Sequence, residues 1–239
     1  EMCIRDRNYT GTHSPKKPNF SGEGEIWMQE LDSNTFQIVG DRHFLWRGAC
    51  QGTWAEGPHI YKKDEWYYLM IAEGGTGFNH SVMIAASKNI TGPYEANDRN
   101  PILTSRHLSY DYWVNSTGHA DMVVLPNGEW KMVCLGIRNE VNRASNMGRE
   151  TLILPVKWEK EPYWWKKIKY NWPVCSPKSG KIEEKYPYFL PVHDLNFTIE
   201  EEYNFNENYL SDDWIHRRVP LKNGYDLTTK NGYLTMYCE

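Results

Sequence analysis

Two stretches decide the fold: Gly57-Pro58-His59-Ile60-Tyr61 leading to Glu65-Trp66-Tyr67-Tyr68-Leu69-Met70, and Gly118-His119-Ala120-Asp121-Met122-Val123-Val124 leading to Glu129-Trp130-Lys131-Met132-Val133-Cys134. Each is an extended run, a polar turn and a second extended run. The turns are Lys63-Asp64 and Asn127-Gly128, and Trp66 and Trp130 hold matching places beyond them. Asn-Gly between apolar runs favours a hairpin, because both residues tolerate the positive φ that a type I′ turn requires. A third run follows each hairpin, Val82-Met83-Ile84-Ala85-Ala86 in one copy and Thr151-Leu152-Ile153-Leu154-Pro155-Val156 in the other.

No segment carries an i, i+3, i+4, i+7 apolar pattern over three turns, so the chain reads as all-β. Antiparallel units repeating at roughly 60 residues suit the four-stranded blades of a β-propeller, with a β-sandwich as the competing architecture. Outward from this core, residues 1–24 are expected to be a disordered or foreign opening segment. Glu1-Met2-Cys3-Ile4-Arg5-Asp6-Arg7 fits nothing downstream, and residues 8–24 are rich in Pro, Asn, Gly, Ser and Lys. Residues 25–190 are expected to be a partial propeller. Lys185-Tyr186-Pro187-Tyr188-Phe189-Leu190-Pro191 reads as a linker, since its prolines interrupt any strand ladder. Residues 191–239 would then open a second, β-sandwich domain.

Bulk properties narrow the function. The 27 basic and 31 acidic residues are interspersed, giving a net charge of −4 without a single-sign block. That argues against nucleic acid and against a membrane surface as partners. The apolar runs are only a few residues long, too short to span a bilayer. Five widely spaced cysteines (Cys3, Cys50, Cys134, Cys175 and Cys238) show neither a C-x-x-C pair nor metal-ligand spacing. The 11 Trp and 16 Tyr fill β cores for the most part, and the remainder suit sugar faces, on which aromatic rings stack. Cellular location and oligomeric state stay open.

The chemistry concentrates in Gly52-Thr53-Trp54-Ala55-Glu56-Gly57-Pro58-His59. An indole, an alanine and a rigid Gly-Pro turn shield Glu56 from water, the setting in which a general acid retains its proton. Taken alone, a glutamate before a strand is more often a surface or capping residue. Three later segments resemble it in pairing small residues with polar ones: Ala72-Glu73-Gly74-Gly75-Thr76, Thr117-Gly118-His119-Ala120-Asp121 and Gly148-Arg149-Glu150-Thr151. In a propeller, equivalent strand starts converge at one end of the axis, so Glu56, His119 and Arg149 are expected to meet there. The plain alternatives are a core histidine at His119, an Arg149 paired with Glu150 or Asp121, and an Asp121 that either orients His119 or is solvated.

The order Trp54-Ala55-Glu56-Gly57-Pro58-His59, Tyr67-Tyr68-Leu69-Met70-Ile71-Ala72-Glu73-Gly74-Gly75-Thr76, Gly92-Pro93-Tyr94-Glu95, Asn100-Pro101-Ile102-Leu103-Thr104, Gly118-His119-Ala120-Asp121 and Met147-Gly148-Arg149-Glu150-Thr151 resembles the β-xylosidase/α-L-arabinofuranosidase branch of glycoside hydrolase family 43. The resemblance continues more weakly to about residue 190. It implies a five-bladed propeller followed by a β-sandwich, and a xylo- or arabino-oligosaccharide substrate hydrolysed with inversion. It implies Glu56 as the general acid, Arg149 as a ligand of the innermost sugar, and Thr76 in a loop flanking that subsite. It further implies His119 on the axis, near which members hold a calcium ion or a water cluster, with no cofactor required for the chemistry. Glu73, a competing acid by its neighbours, falls outside the catalytic centre on this reading. The pattern departs in one respect: the Asp-Pro motif of the family's base and the isolated Asp that tunes the acid are missing, since Asp6, Asp32 and Asp41 lack the right neighbours. The chain by itself is therefore expected to be inactive and its full-length parent to hydrolyse a pentoside. A carbohydrate-binding propeller without catalysis is the alternative.

Overall fold

The computed structural model describes residues 2–8, 19–140, 144–166, 170–187, 202–215 and 224–237, residues 2–8 by their backbone alone. The chain divides into two compact units, Glu1–Pro187 and Tyr188–Glu239. Among the described residues there is no helix. In the first unit the strands form three antiparallel meanders. The first is β1 (Met2–Asn8), β2 (Gly24–Leu31) and β3 (Ile38–Trp46), in the order β1-β2-β3. The second contains β4 (Glu56–Lys63), β5 (Trp66–Glu73), β6 (Ser81–Ser87) and β7 (Glu95–Ala96), in that order, with β8 (Leu103–Thr104) also pairing with β6. The third is β9 (Val114–Val124), β10 (Trp130–Arg138), β11 (Arg149–Lys160) and β12 (Asn171–Cys175), again in sequential order across the sheet. These meanders are blades of a partial β-propeller. The second unit contributes the short antiparallel pair β13 (Tyr225–Asp226) and β14 (Thr235–Met236).

The opening segment differs from expectation. Residues 2–8, read as disordered or foreign, form β1, paired in continuous register with Gly24–Glu30 from Asn8↔Gly24 to Met2↔Glu30. Backbone pairing accepts any residue with a free N–H and C=O, so the charged composition of this stretch gave no warning of it.

Alternation along the central sheet explains how three blades share two cores. In β5, Tyr68 and Met70 face one side and Leu69 and Ile71 the other, and all four are buried. In β6, Val82, Ile84 and Ala86 join the first side, while Met83 and Ala85 join the second. One core adds Val114, Met122, Met132, Leu154 and Trp172 from the third sheet. The other adds Ile26, Met28, Leu45 and Trp46 from the first. A strand covered on both faces must be apolar at successive positions, which is why Leu69–Ala72 and Val82–Ala86 read as unbroken runs. Full burial of each large side chain contributes about 1.5–3 kcal/mol. The third sheet alternates instead: Met132, Cys134 and Leu154 are buried, whereas Val123 and Ile153 on its other face are exposed.

Candidate active site

Three side chains from three separate places in the chain converge. Glu56 opens β4, His80 immediately precedes β6, and His119 lies within β9. One potential ligand or proton-carrying atom from each lies within 4.8 Å of the others. Glu56 Oε1 stands 3.6 Å from His119 Nδ1, and the two side chains keep 31% and 36% of their surface exposed. Glu56 is thus half-buried beside a histidine, not sealed from water as the sequence suggests.

Irregularities in the strands create this convergence. Between the pairs Glu56↔Ala72 and His59↔Met70, β4 carries two residues against one on β5. Gly57 is one of the two, with φ +56°. Between Asp121↔Val133 and Gly118↔Leu135, β9 holds His119 and Ala120 against Cys134 alone, and His119 takes φ +50°. A further shift between Gly118↔Leu135 and Asn115↔Ile137 includes Ser116 at φ +54°. Such bulges bend a strand and re-aim its side chains. Positive φ in a histidine costs energy, and residues of this kind concentrate at functional sites. The expectation that His119 sits beside a strand start is therefore corrected: it projects from a bulge inside an 11-residue strand.

Glycines make room for the rings. A Cβ on Gly57 would lie 2.4 Å from His119 Nε2, and one on Gly118 2.5 Å from the His80 ring. His80 is fully buried. Its Nδ1 lies 3.0 Å from the Ser116 carbonyl oxygen, which accepts only from a protonated nitrogen and so selects the Nδ1–H tautomer. Nε2 then carries a lone pair, and this atom has no hydrogen-bond partner among the described residues. Burial pushes the His80 pKa down; the Ser116 hydrogen bond opposes that, and the neighbouring His119 and Arg149 reinforce it. Sequence reading passed over His80. Its only signal is a histidine, in Phe78-Asn79-His80-Ser81, just ahead of the apolar run Val82–Ala86.

Glu73 is fixed elsewhere. Its carboxylate is buried at the end of β5 and accepts backbone N–H bonds from Ala49 (2.8 Å), Cys50 (3.0 Å) and Gly52 (3.0 Å). Burial raises its pKa, and those three donors together with Arg106 pull it down less strongly. It therefore clamps the turn that leads to Glu56. The same approach is tied by Trp54 N–H to the Gly22 carbonyl (2.7 Å) and by Gly74 N–H to the Thr53 carbonyl (2.8 Å).

The other predicted residues separate into near and far. Arg149 is exposed at the start of β11, opposite Ile137, close enough for its charge to act on His80. It is not the partner of Glu150, which forms an ion pair with Arg138 (3.0 Å). Asp121 does not orient His119: it accepts from the Tyr61 hydroxyl and from the Met122 N–H and lies 3.7 Å from His59. Thr76 is exposed in the loop between β5 and β6, next to Gly75, which lies under the Trp54 ring. Of the aspartates preceding Glu56, Asp32 accepts backbone N–H bonds from Asn34 and Thr35 in the turn after β2, and Asp41 lies exposed on β3. Asp6 belongs to β1.

Calcium takes six to eight oxygen ligands. The converging residues offer one carboxylate and two imidazoles, a donor set that does not match it.

The family described as "Glycosyl hydrolases family 43" matches residues 7–163. The "Xylosidase/arabinosidase" of Butyrivibrio fibrisolvens is 37% identical over 232 residues, covering 95% of this chain and 43% of that protein. The "Non-reducing end alpha-L-arabinofuranosidase BoGH43B" of Bacteroides ovatus is also 37% identical, over 90% of this chain and 38% of its own length. Among solved structures, the xylan beta-1,4-xylosidase from Bacillus Halodurans C-125 superposes with a TM-score of 0.73 at 29% identity, covering 92% of this chain and 40% of that one. The chain thus spans well under half the length of the relatives it matches.

Proposed function

Since this chain belongs to glycosyl hydrolases family 43, we propose that it carries the acid side of an inverting pentosidase acting on xylosidic or arabinofuranosidic bonds of hemicellulose oligosaccharides. The observation that carries the reading is the placement of Glu56 at the edge of the β4 bulge, 3.6 Å from His119, with Arg149 at the start of β11 near enough for its charge to act on His80. In this mechanism Glu56 donates its proton to the glycosidic oxygen as the bond from that oxygen to the anomeric carbon breaks. Water attacks the opposite face of the sugar and delivers its proton to a second carboxylate, roughly 6.5–9.5 Å from the first in inverting enzymes. Arg149 is proposed to hold the sugar in the innermost subsite, with Thr76 on the lip.

No aspartate of this chain carries the base motif, so we propose that the chain alone releases no pentose. The unit from Tyr188 onward is proposed as the opening of a β-sandwich following the propeller.

The test compares leaving groups in the full-length protein. Glu56→Gln is expected to slow hydrolysis of xylobiose or an arabinofuranosyl disaccharide by about 10²–10⁴-fold. Nitrophenyl pentosides, whose leaving group needs little protonation, are expected to lose far less. Equal losses on both substrates would remove Glu56 from the acid role.

A further inference from the structure

We propose that the aromatic tip between β11 and β12, Tyr163-Trp164-Trp165, is a second carbohydrate-binding site, remote from the catalytic end, that holds a neutral xylan chain. The class of ligand rests on the reading of the chain as a pentosidase; the binding surface itself does not.

The tip lies far from Glu56. β11 starts with Arg149, within electrostatic reach of His80, and runs for 12 residues to Lys160, so at about 3.3 Å per residue its ends stand roughly 36 Å apart. At the far end the Glu161 N–H donates to the Tyr170 carbonyl (3.0 Å), and the Lys166 N–H to that of Tyr163 (3.3 Å). The turn is also anchored by side chains. Lys166 Nζ lies 2.7 Å from Asp98, just past β7 of the middle blade, and 3.8 Å from Glu161. The buried Glu161 carboxylate accepts from the Trp172 indole N–H and from the Tyr163 N–H, both at 3.2 Å.

On this anchored turn Trp164 keeps 82% of its surface exposed and Trp165 60%. Tyr163 stacks on Trp165 (centroids 4.6 Å apart, planes at 26°), and Trp165 meets Trp164 almost at right angles (5.9 Å, 87°). The rings brace one another, so a ligand meets a preformed surface and binding spends little on ordering side chains. Two indoles held outward forgo the burial such rings ordinarily gain, and outward aromatic patches mark contact surfaces. Chemistry selects the occupant. Indole faces take the apolar C–H faces of sugar rings. At the base, Glu95 and Asp98 are half-exposed carboxylates that accept from sugar hydroxyls. Together with Glu161 they surround the ammonium of Lys166, so among the described residues the base carries more negative than positive charge and disfavours phosphate-bearing partners. Lys167 and Lys169 lie outside the described residues. Two planes at right angles fit a chain whose successive rings rotate, as in xylan, better than the flat ribbon of cellulose.

The test is retardation of this chain in native gels cast with dissolved arabinoxylan, which reads binding without turnover. Trp164→Ala and Trp165→Ala are each expected to weaken the apparent affinity by at least about fivefold, and Trp164→Phe by less. Tyr209→Ala, which removes an exposed ring of the second unit, should change nothing. Hydroxyethyl cellulose should retard the chain less than arabinoxylan does. Circular dichroism checks folding, and Trp164→Ala, at the more exposed ring, decides the matter if Trp165→Ala unfolds. In the full-length protein Trp164→Ala should leave kcat/KM on a nitrophenyl pentoside unaltered and slow pentose release from dissolved arabinoxylan. Trp164 should be reachable there too, so that Trp164→Phe removes part of the fluorescence that iodide quenches. Retardation indifferent to Trp164→Ala and Trp165→Ala, Trp164-dependent binding to phosphatidylglycerol vesicles in place of arabinoxylan, or a Trp164 shielded from iodide in the full-length protein overturns the proposal. Glu56→Gln should keep full retardation, so a failed acid and a failed xylan surface are told apart.

Discussion

Glu73 shows how a single carboxylate can serve a site from outside it. It meets three backbone N–H groups of the turn before Trp54, and Gly48, at φ +82°, is the only residue type that fits against it, since a Cβ there would lie 2.4 Å from the carboxylate. Glu73→Ala removes the carboxylate partner of those donors, leaving that of buried Gly52 unpaired, and is expected to cost roughly 2–4 kcal/mol in urea unfolding. A pH signature accompanies it. Burial raises the native pKa above the ordinary 4.5, so the folded chain keeps a proton that the unfolded chain has already released. That contribution to stability is complete below pH 4.5 and is lost as pH rises through the raised native value. Measured from about pH 4 to about pH 7, stability of the parent chain should fall relative to Glu73→Gln. A difference that does not vary with pH would mean that the native carboxyl titrates normally. In sequence Glu73 is legible as a competitor of Glu56 and, through the resemblance, as lying outside the centre. Its clamp is not legible, because the partners are main-chain groups more than twenty residues away. Asp121 escaped reading for a similar reason: its partner Tyr61 comes from another strand.

At the level of strands, the elements are visible in the sequence and their defects are not. Alternation and turn residues locate the β9–β10 hairpin, but of the Asn127-Gly128 pair only Gly128 takes positive φ (+84°), in a loop closed by the Leu125 N–H to the Glu129 carbonyl, so the turn is not the expected type I′. One extra residue in β4 or β9 leaves the apolar pattern almost unchanged, yet these bulges aim Glu56 and His119 at each other. Gly57→Ala places a side chain at positive φ and drives its Cβ into His119. It should lower thermal stability by an amount equivalent to about 1–3 kcal/mol and separate the two side chains. Histidine NMR reports the second effect as a changed His119 environment. Gly118→Ala is expected to disturb His80 in the same way, and an unchanged His80 resonance would contradict the packing described for it.

For the molecule as a whole, the propeller reading came from the repeat and the ordered motifs, and three successive meanders bear it out. What the repeat could not supply was the participation of β1, whose residues carry no apolar alternation. The large-scale energetics rest on the middle sheet. Leu69→Ala and Met70→Ala remove neighbouring side chains that belong to different cores, and each is expected to cost about 2–5 kcal/mol. Both should shift one common unfolding transition of the Glu1–Pro187 unit, followed by near-ultraviolet circular dichroism. Two separated transitions would show that the cores melt independently.

The division of β5 and β6 between two faces therefore makes the middle blade a keystone. Adjacent side chains along it answer to opposite cores, so slackening on one flank is felt on the other within a single peptide unit. Deuterium should enter these two strands last.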